Sequence, residues 1–388
     1  MSRFVYADNA ATTKLSEAAF TAMLPWLQEG YGNPSSVYRL GRESRRAIDQ
    51  ARDQMAAALG AKPEEIIFTG SGTEADNWAI RGVAENLKAK GRHIITSAIE
   101  HHAVSHTLDD LAAQGYEIET LPVDECGRIS LEALAAAIRP DTILITIMFA
   151  NNEIGTIQPV AEIGALARSK GVLFHTDAVQ AVGHVPVDVE AMQIDLLSLS
   201  AHKFGGPKGV GAQYVRQGIK LPSFIAGGGQ EKGRRAGTEN VAGIVGMAVA
   251  LSELIPNLAQ TRARVETMRD KLIAGMLALP AVRLTGDPIN RLPGSASFAV
   301  ECVEGEAMIL MLDAAGIASS SGSACTSGAL DPSHVLLAIG LPHEIAHGSV
   351  RLSLGEENTE ADVDYILATL PGIIEKLRAM SPLWEERL

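Results

Sequence analysis

The sequence predicts an α/β protein with a mostly parallel sheet, followed by a smaller α+β unit. Three observations carry this reading. At 388 residues the chain is long for one core and comfortable for two. From about residue 45 to 255, short apolar runs alternate with helical patterns, as in strand–helix–strand units covered on both faces. Pro256 then interrupts a long helical stretch that begins near Asn240, and the rhythm beyond it changes.

Taken in order, Glu65–Thr69 (EIIFT) reads as a buried strand, with a Gly-rich turn and a helix from Glu74 through Leu87 behind it. His93–Ser97, Tyr116–Val123, Thr142–Phe149, Val172–Thr176 and Asp195–Ser200 are further strands, and Leu131–Ile138 and Val160–Lys170 are helices between them. With a boundary at Pro256, the large domain is 15–256, and 1–14 with 257–388 form the small one. The small domain reads as a strand at Ala296–Glu301, a helix at Glu304–Ala315, a loop, a strand near Val350–Leu354 and a helix at Glu360–Met380. That loop contains the one low-complexity patch, Ser319–Gly328 (SSSGSACTSG). In parallel sheets ligands bind beyond the carboxyl ends of the strands, so chemistry is sought there.

Composition excludes several classes. A net charge of −13 opposes binding to nucleic acid or anionic membranes. The densest basic stretch, Arg39 to Arg52, is interspersed with Glu43 and Asp49 and reads as a solvated helix face. Met1–Lys14 lacks the apolar run of a signal peptide, and no uninterrupted apolar stretch reaches membrane-spanning length. The cysteines, Cys126, Cys302 and Cys325, are few, odd in number and without metal-ligand spacing. They fit a reducing compartment, with the cytoplasm as the default and no disulfide framework.

Four segments carry chemistry. In DLLSLSAHKFGGPKG a buried strand ends in Ser200, Ala201, His202 and Lys203 before a Gly-Gly-Pro turn. An isolated lysine there is a surface charge. A hydroxyl, an imidazole and an amine crowded at a tight turn suit a Schiff-base lysine. VLFHTDAVQ delivers Asp177 to the end of the preceding strand, where a carboxylate caps a helix or keeps a pyridinium nitrogen protonated. TGSGTEADN places small residues and hydroxyls at a helix N-terminus, a plain N-cap or an anion site for a cofactor phosphate. In the Ser/Gly-flanked loop, Cys325 reads as a reactive thiol, whereas Cys302 and Cys126 read as small apolar residues. His101 and His102 compete to stack on a cofactor ring, and Asn151 and Asn152 to bond a phenolic oxygen or a carboxylate.

The set HTDAVQ, LSLSAHKFGGPKG, SGSGTEADN, FANNEIGT, GRRAGTEN and SSGSACTSG resembles the cysteine desulfurases, within the class-V aminotransferases of fold-type I pyridoxal-phosphate enzymes. The match runs from YADNAATT to SVRLSLG and SPLW, and the SSGSACTSG loop resembles the branch serving nitrogenase and iron–sulfur cluster assembly. The resemblance implies a seven-stranded, mostly parallel sheet, pyridoxal 5'-phosphate bound to Lys203, and Cys325 as sulfur acceptor. Asp177 would pair with the pyridinium nitrogen and His101 would stack on the ring. Asn152 and Gln180 would bond the phenolic oxygen. Thr73, Ser200, His202 and the Gly72 backbone would hold the phosphate, joined by Thr238 from the other subunit of a homodimer. Arg351, with Asn33, would grip the substrate carboxylate; without the resemblance Arg351 reads as a surface ion pair.

The implied reaction converts L-cysteine to L-alanine and leaves a persulfide on Cys325 for a sulfur-acceptor protein such as an iron–sulfur scaffold. No resident metal is expected, only a transient iron–sulfur contact at Cys325. Housekeeping members carry a further C-terminal tail that helps dock the scaffold, and this sequence stops soon after SPLWEERL. A selenocysteine lyase, which need not rely on the loop thiol, and an aminotransferase, which would make a keto acid, are the alternatives. A retired fold acting as an assembly partner would have lost Lys203 or Asp177, and both are present.

Overall fold

Seven strands form the main sheet in the computed structural model, which describes residues 3–321 and 332–385. They are β2 (Ile66–Thr69), β3 (His93–Ser97), β4 (Glu117–Leu121), β5 (Thr142–Thr146), β6 (Leu173–Asp177), β7 (Leu196–Ser200) and β8 (Gly211–Val215). Their order is β2-β8-β7-β6-β5-β3-β4, and only β8 runs antiparallel to its neighbours. The central strands β5 (TILIT) and β7 (LLSLS) are buried at every position, as both-faced cover by helices requires. The helices α3 (Gly72–Leu87), α4 (His102–Ala113), α5 (Leu131–Ala137) and α6 (Val160–Lys170) supply the crossovers, while α1 (Glu17–Gln28), α2 (Arg39–Leu59) and α7 (Val241–Leu254) pack together.

Strand ends fall within a few residues of expectation, but β8 carries a pattern the sequence reading passed over. GAQYV follows the Gly-Gly-Pro-Lys-Gly turn and folds straight back against β7. The basic stretch in α2 also departs from expectation, because it is not wholly solvated. Arg52 is mostly buried, forks onto Glu231 at 2.7 and 2.8 Å, and lies 4.7 Å from the centre of the Phe68 ring.

A second core gathers residues from both ends of the chain. Val5 and Ala7 join residues between 265 and 377 there. A three-stranded antiparallel sheet, β9 (Val282–Leu284), β10 (Ser295–Val300) and β12 (Ser349–Ser353), is backed by α8 (Leu258–Leu277), α9 (Gly305–Ala314) and α12 (Glu360–Arg378). The N-terminal β1 (Val5–Tyr6) pairs in parallel with β11 (Ile317–Ala318), and the short helices α10 (His334–Ala338) and α11 (His343–Ala346) precede β12. The Val241–Leu277 run, with Pro256 in a short tight turn inside it, meets membrane-span criteria by length and composition. The sequence reading took it as one helical stretch broken at Pro256, and the break falls there. Half of its apolar window is buried, with α7 lying against α1 and α2.

The two cores are sewn together by a buried guanidinium. Arg291 donates to the carbonyls of Ser295, Asp287, Ile154 and Thr285 at 2.9–3.3 Å, and Ile154 belongs to the loop after β5. Removing it would strand four buried acceptors. Arg291→Met is therefore expected to cost about 3 kcal/mol or more in chemical denaturation, with a broadened transition as the two cores uncouple.

Candidate active site

Six strands pointing the same way gather the loops after their carboxyl ends at one edge, where Gly72, His101, Asn152, Asp177 and Lys203 lie. β6 ends in Asp177. β7 ends in Ser200, and a tight turn, Ala201–Lys203, follows directly. The β6–β7 register sets Asp177 beside Ser198, so Lys203 and Asp177 leave adjacent strands. The Lys203 ammonium donates to the carbonyls of Ala10 and Ala11 at 2.6 and 2.8 Å. Asp177 is buried, and one oxygen accepts the Val179 N–H at 2.9 Å. Burial pushes its carboxyl up, while His101, that N–H and Lys203 pull the other way. Gln180 donates to the Ala10 carbonyl at 2.9 Å.

At the other end stands the N-terminus of α3. Ser71 caps it, its hydroxyl accepting from the Glu74 N–H and its carbonyl from that of Ala75. The N–H groups of Gly72 and Thr73 are left without a partner inside the helix. A Cβ on Gly72 would lie 2.6 Å from a Val179 methyl and 3.4 Å from Ser200 Cβ, so glycine is what lets this positive helix end close onto the strand edge. His202 meets the Thr12 hydroxyl at 3.1 Å and stays neutral, pushed down to about 4 by burial and the nearby lysines. Thr73 is exposed, and so is Thr238; Arg235 of the same GRRAGTEN segment forks onto Glu74 in the first turn of α3.

The structure separates the paired candidates. His101 caps α4, accepting the Ala103 N–H at 3.1 Å, and its ring senses both Asp177 and Lys203. Burial holds it below the usual imidazole range. His102 instead meets His106 and His334, away from those charges. Asn151 is consumed in a turn, accepting from the Glu153 and Ile154 N–H groups and donating to the Ile99 carbonyl. Asn152 keeps its side chain free of such bonds, while its carbonyl accepts from Arg351 at 2.7 Å. Arg351, on β12, is buried. It also pairs with Asp8 at 3.0 Å, and its Nε has no partner. Asn33 is exposed and caps its own turn at the Ser35 N–H. Cys325 lies outside the described residues.

Three site contributors escaped the sequence reading: the carbonyls of Ala10 and Ala11, Thr12, and Asp8. The crowding of small residues and hydroxyls in YADNAATT was the available signal. A cavity of about 750 Å³ adjoins this site. It sits between the cores behind the N-terminal segment, lined by Phe204, Leu258, Val265 and Leu354, and reaches Thr12 without including Lys203 or Asp177.

An amine beside a strand end, a buried carboxyl on the adjacent strand, an imidazole within electrostatic reach of both and a helix N-terminus with two free N–H groups make a donor set suited to pyridoxal phosphate. The unpartnered Arg351 Nε adds a place for a carboxylate. Fold and site together define a pyridoxal-phosphate enzyme of fold type I. The family model for class-V aminotransferases matches residues 5–366. A cysteine desulfurase IscS from Methanosarcina thermophila is 54% identical over 379 residues, covering 98% of this chain and 94% of that protein. A cysteine desulfurase NifS from Azotobacter vinelandii is 46% identical over 382 residues, covering 98% and 95%. A solved NifS-like protein superposes with a TM-score of 0.92 at 39% identity, covering 97% of this chain and all of the other. The chain belongs to the class-V aminotransferase family, among its cysteine desulfurases.

The buried imidazole of His175 gives a pH test of this interior. Burial pushes it down to about 3, so between about pH 6.5 and 3 the unfolded chain binds a proton that the folded one refuses. Stability is present above that window and is lost as pH falls through it. From pH 7 to 5 the wild type is expected to lose about 2 kcal/mol more than His175→Gln, read by urea denaturation at the two pH values.

Proposed function

We propose that this cysteine desulfurase moves the sulfur of L-cysteine onto Cys325 as a persulfide and hands it to an acceptor protein of the iron–sulfur scaffold kind. One observation carries the division of labour. Arg351 presents a buried guanidinium with an unpartnered Nε, while its backbone exchanges hydrogen bonds with Ser320 at the start of the segment that leads to Cys325. The guanidinium offered to the substrate carboxylate and Ser320 thereby share one strand pairing.

In this reading Lys203 holds the cofactor, Asp177 faces its ring nitrogen, and His101 stacks on it. Gly72, Thr73, Ser200 and His202 hold the phosphate, while Asn152 and Gln180 hold the phenolic oxygen. Pyridoxal phosphate, when bound, supplies an electron sink at the substrate Cα. Lys203 takes the Cα proton, and His101, neutral at physiological pH, carries protons at the ring's edge. The Cys325 thiolate attacks the substrate Sγ. The new S–S bond forms as the Cβ–Sγ bond breaks, its electron pair stays with Cβ, which is protonated, and return of a proton to Cα completes alanine. No external oxidant or reductant is needed.

Residues 15–256 form the cofactor-holding domain of this reading, and 1–14 with 257–388 the domain that carries the thiol. The enzyme works as a homodimer in the cytoplasm. Thr238 is exposed in its own subunit, available to a partner's phosphate site. The exposed Tyr31, Val37, Tyr38, Phe224 and Ile225 supply apolar surface for such an interface.

Two experiments test this reading. Cys325→Ser is expected to keep the bound-cofactor absorbance while alanine formation from cysteine falls on the order of a hundredfold or more. Alanine and sulfide at the wild-type rate would sink the persulfide route. Arg351→Lys replaces a planar fork by a point charge, so KM for cysteine should rise on the order of tenfold with a smaller change in kcat.

A further inference from the structure

Beneath the site lies a second carboxyl that the reaction does not use. Asp76 sits one helical turn into α3 from Gly72, on the face that packs against the sheet, and is 1% exposed. His175 and Asp177 are two residues apart on β6 and therefore share a sheet face. The His175 Nε2 lies 3.6 Å from Asp76 Oδ1. Two carboxyls, Asp76 and Asp177, thus occupy one water-poor layer and act on each other electrostatically. Like charges so placed cannot both ionise at low cost.

The hydrogen bonds decide which of them keeps a proton. Asp177 accepts a backbone N–H and has His101 and Lys203 as electrostatic partners. Asp76 has only the Ser198 hydroxyl as a hydrogen-bonding neighbour, and its Oδ1 has no partner. His175 does not rescue it. Burial holds that ring neutral, one nitrogen meets the Thr146 hydroxyl at 2.8 Å, and Nε2 is committed to Ser198 at 3.0 Å. The donors and acceptors then close in one direction. With the Ser198 hydroxyl donating to the Gln213 side-chain Oε1 at 3.1 Å, Nε2–H is the donor to Ser198 Oγ, and Nδ1 accepts from the Thr146 hydroxyl. An ionised Asp76 would find no hydrogen to accept in that chain, whereas a protonated Asp76 can donate to Ser198 Oγ.

We propose that Asp76 is a positioning residue held as the neutral acid, and that this leaves Asp177 as the sole anion of the layer under the cofactor ring. The role rests on the cofactor reading above, while the proton itself belongs to the chain alone. Burial and Asp177 both push the Asp76 carboxyl well up, and Glu100 adds to this.

The test separates the two. Infrared difference spectra between cofactor-free wild type and Asp76→Asn at neutral pH are expected to show one protonated-carboxyl C=O stretch lost. Glu100 and Glu153, also buried and pushed up to about 8 and about 7, are common to both samples and cancel. Absence of a lost band overturns the proposal whatever the enzyme's activity. Cofactor affinity then reads the positioning role. Asp76→Leu leaves the Ser198–His175 chain without its end group and should weaken pyridoxal phosphate binding about tenfold relative to Asp76→Asn, which keeps a neutral polar group. Equal affinities in the two variants would overturn it as well.

Discussion

The parallel pairing of β6 with β7 is the constraint on which the site depends. It puts Asp177 level with Ser198 and lets Lys203 follow five residues later, past the end of the neighbouring strand. A slip of one residue would turn His175 and Asp177 to the opposite face of the sheet, away from α3 and its free N–H groups. The register is held by side chains as well as by the ladder. Asp195 accepts the Phe174 N–H at the start of both strands, and Arg216 fixes Asp195 at 2.6 Å. β8 pins the other side of β7 along its whole length. Rigid strands thus set the spacing between amine and carboxyl, and no loop has to.

The N-terminal segment converts this edge into an enclosed site. Tyr6 to Thr13 crosses between the two cores, bonded to Ser353 on one side and to His202 on the other. Its carbonyls at Ala10 and Ala11 orient Lys203, and its Asp8 neutralises part of Arg351. Residues from the beginning, middle and end of the chain therefore meet within one hydrogen-bonded strap. This explains why the small core must include Val5 and Ala7: their burial anchors the strap.

The sheet was legible in the sequence because several of its strands are largely apolar runs of strand length, EIIFT, TILIT and LLSLS. Lys203, Asp177 and the SGSGT turn were legible because each ends or follows such a run. What stayed hidden involves long-range partners. GAQYV is too short and too mixed to announce a central strand, and only its pairing between β2 and β7 makes it one. Nothing local distinguished His101 from His102, since the choice is made by where the first turn of α4 begins. Asn151 and Asn152 divide likewise, one spent on a turn and one left free. Asp76, inside a motif read for its hydroxyls and glycines, gains its meaning only from His175 and Ser198, about a hundred residues and more along.

The buried acids around the ring are sorted by the donors that reach them. Glu100 takes the Ser97 hydroxyl and the Met148 N–H, and Glu153 takes the Ser333 hydroxyl where α10 begins. Each remains close enough to neutrality to titrate near physiological pH. Asp177 is the one with two cationic or protonatable partners on its open side. A low-dielectric layer in which most acids stay neutral makes a single ionised carboxylate a strong electrostatic landmark, because no second carboxylate competes with it for a cation. An electron-poor ring laid over that layer would find one anion to bind its nitrogen. The neutrality of Asp76, Glu100 and His175 is, on this argument, as much a part of the site as the charge of Asp177.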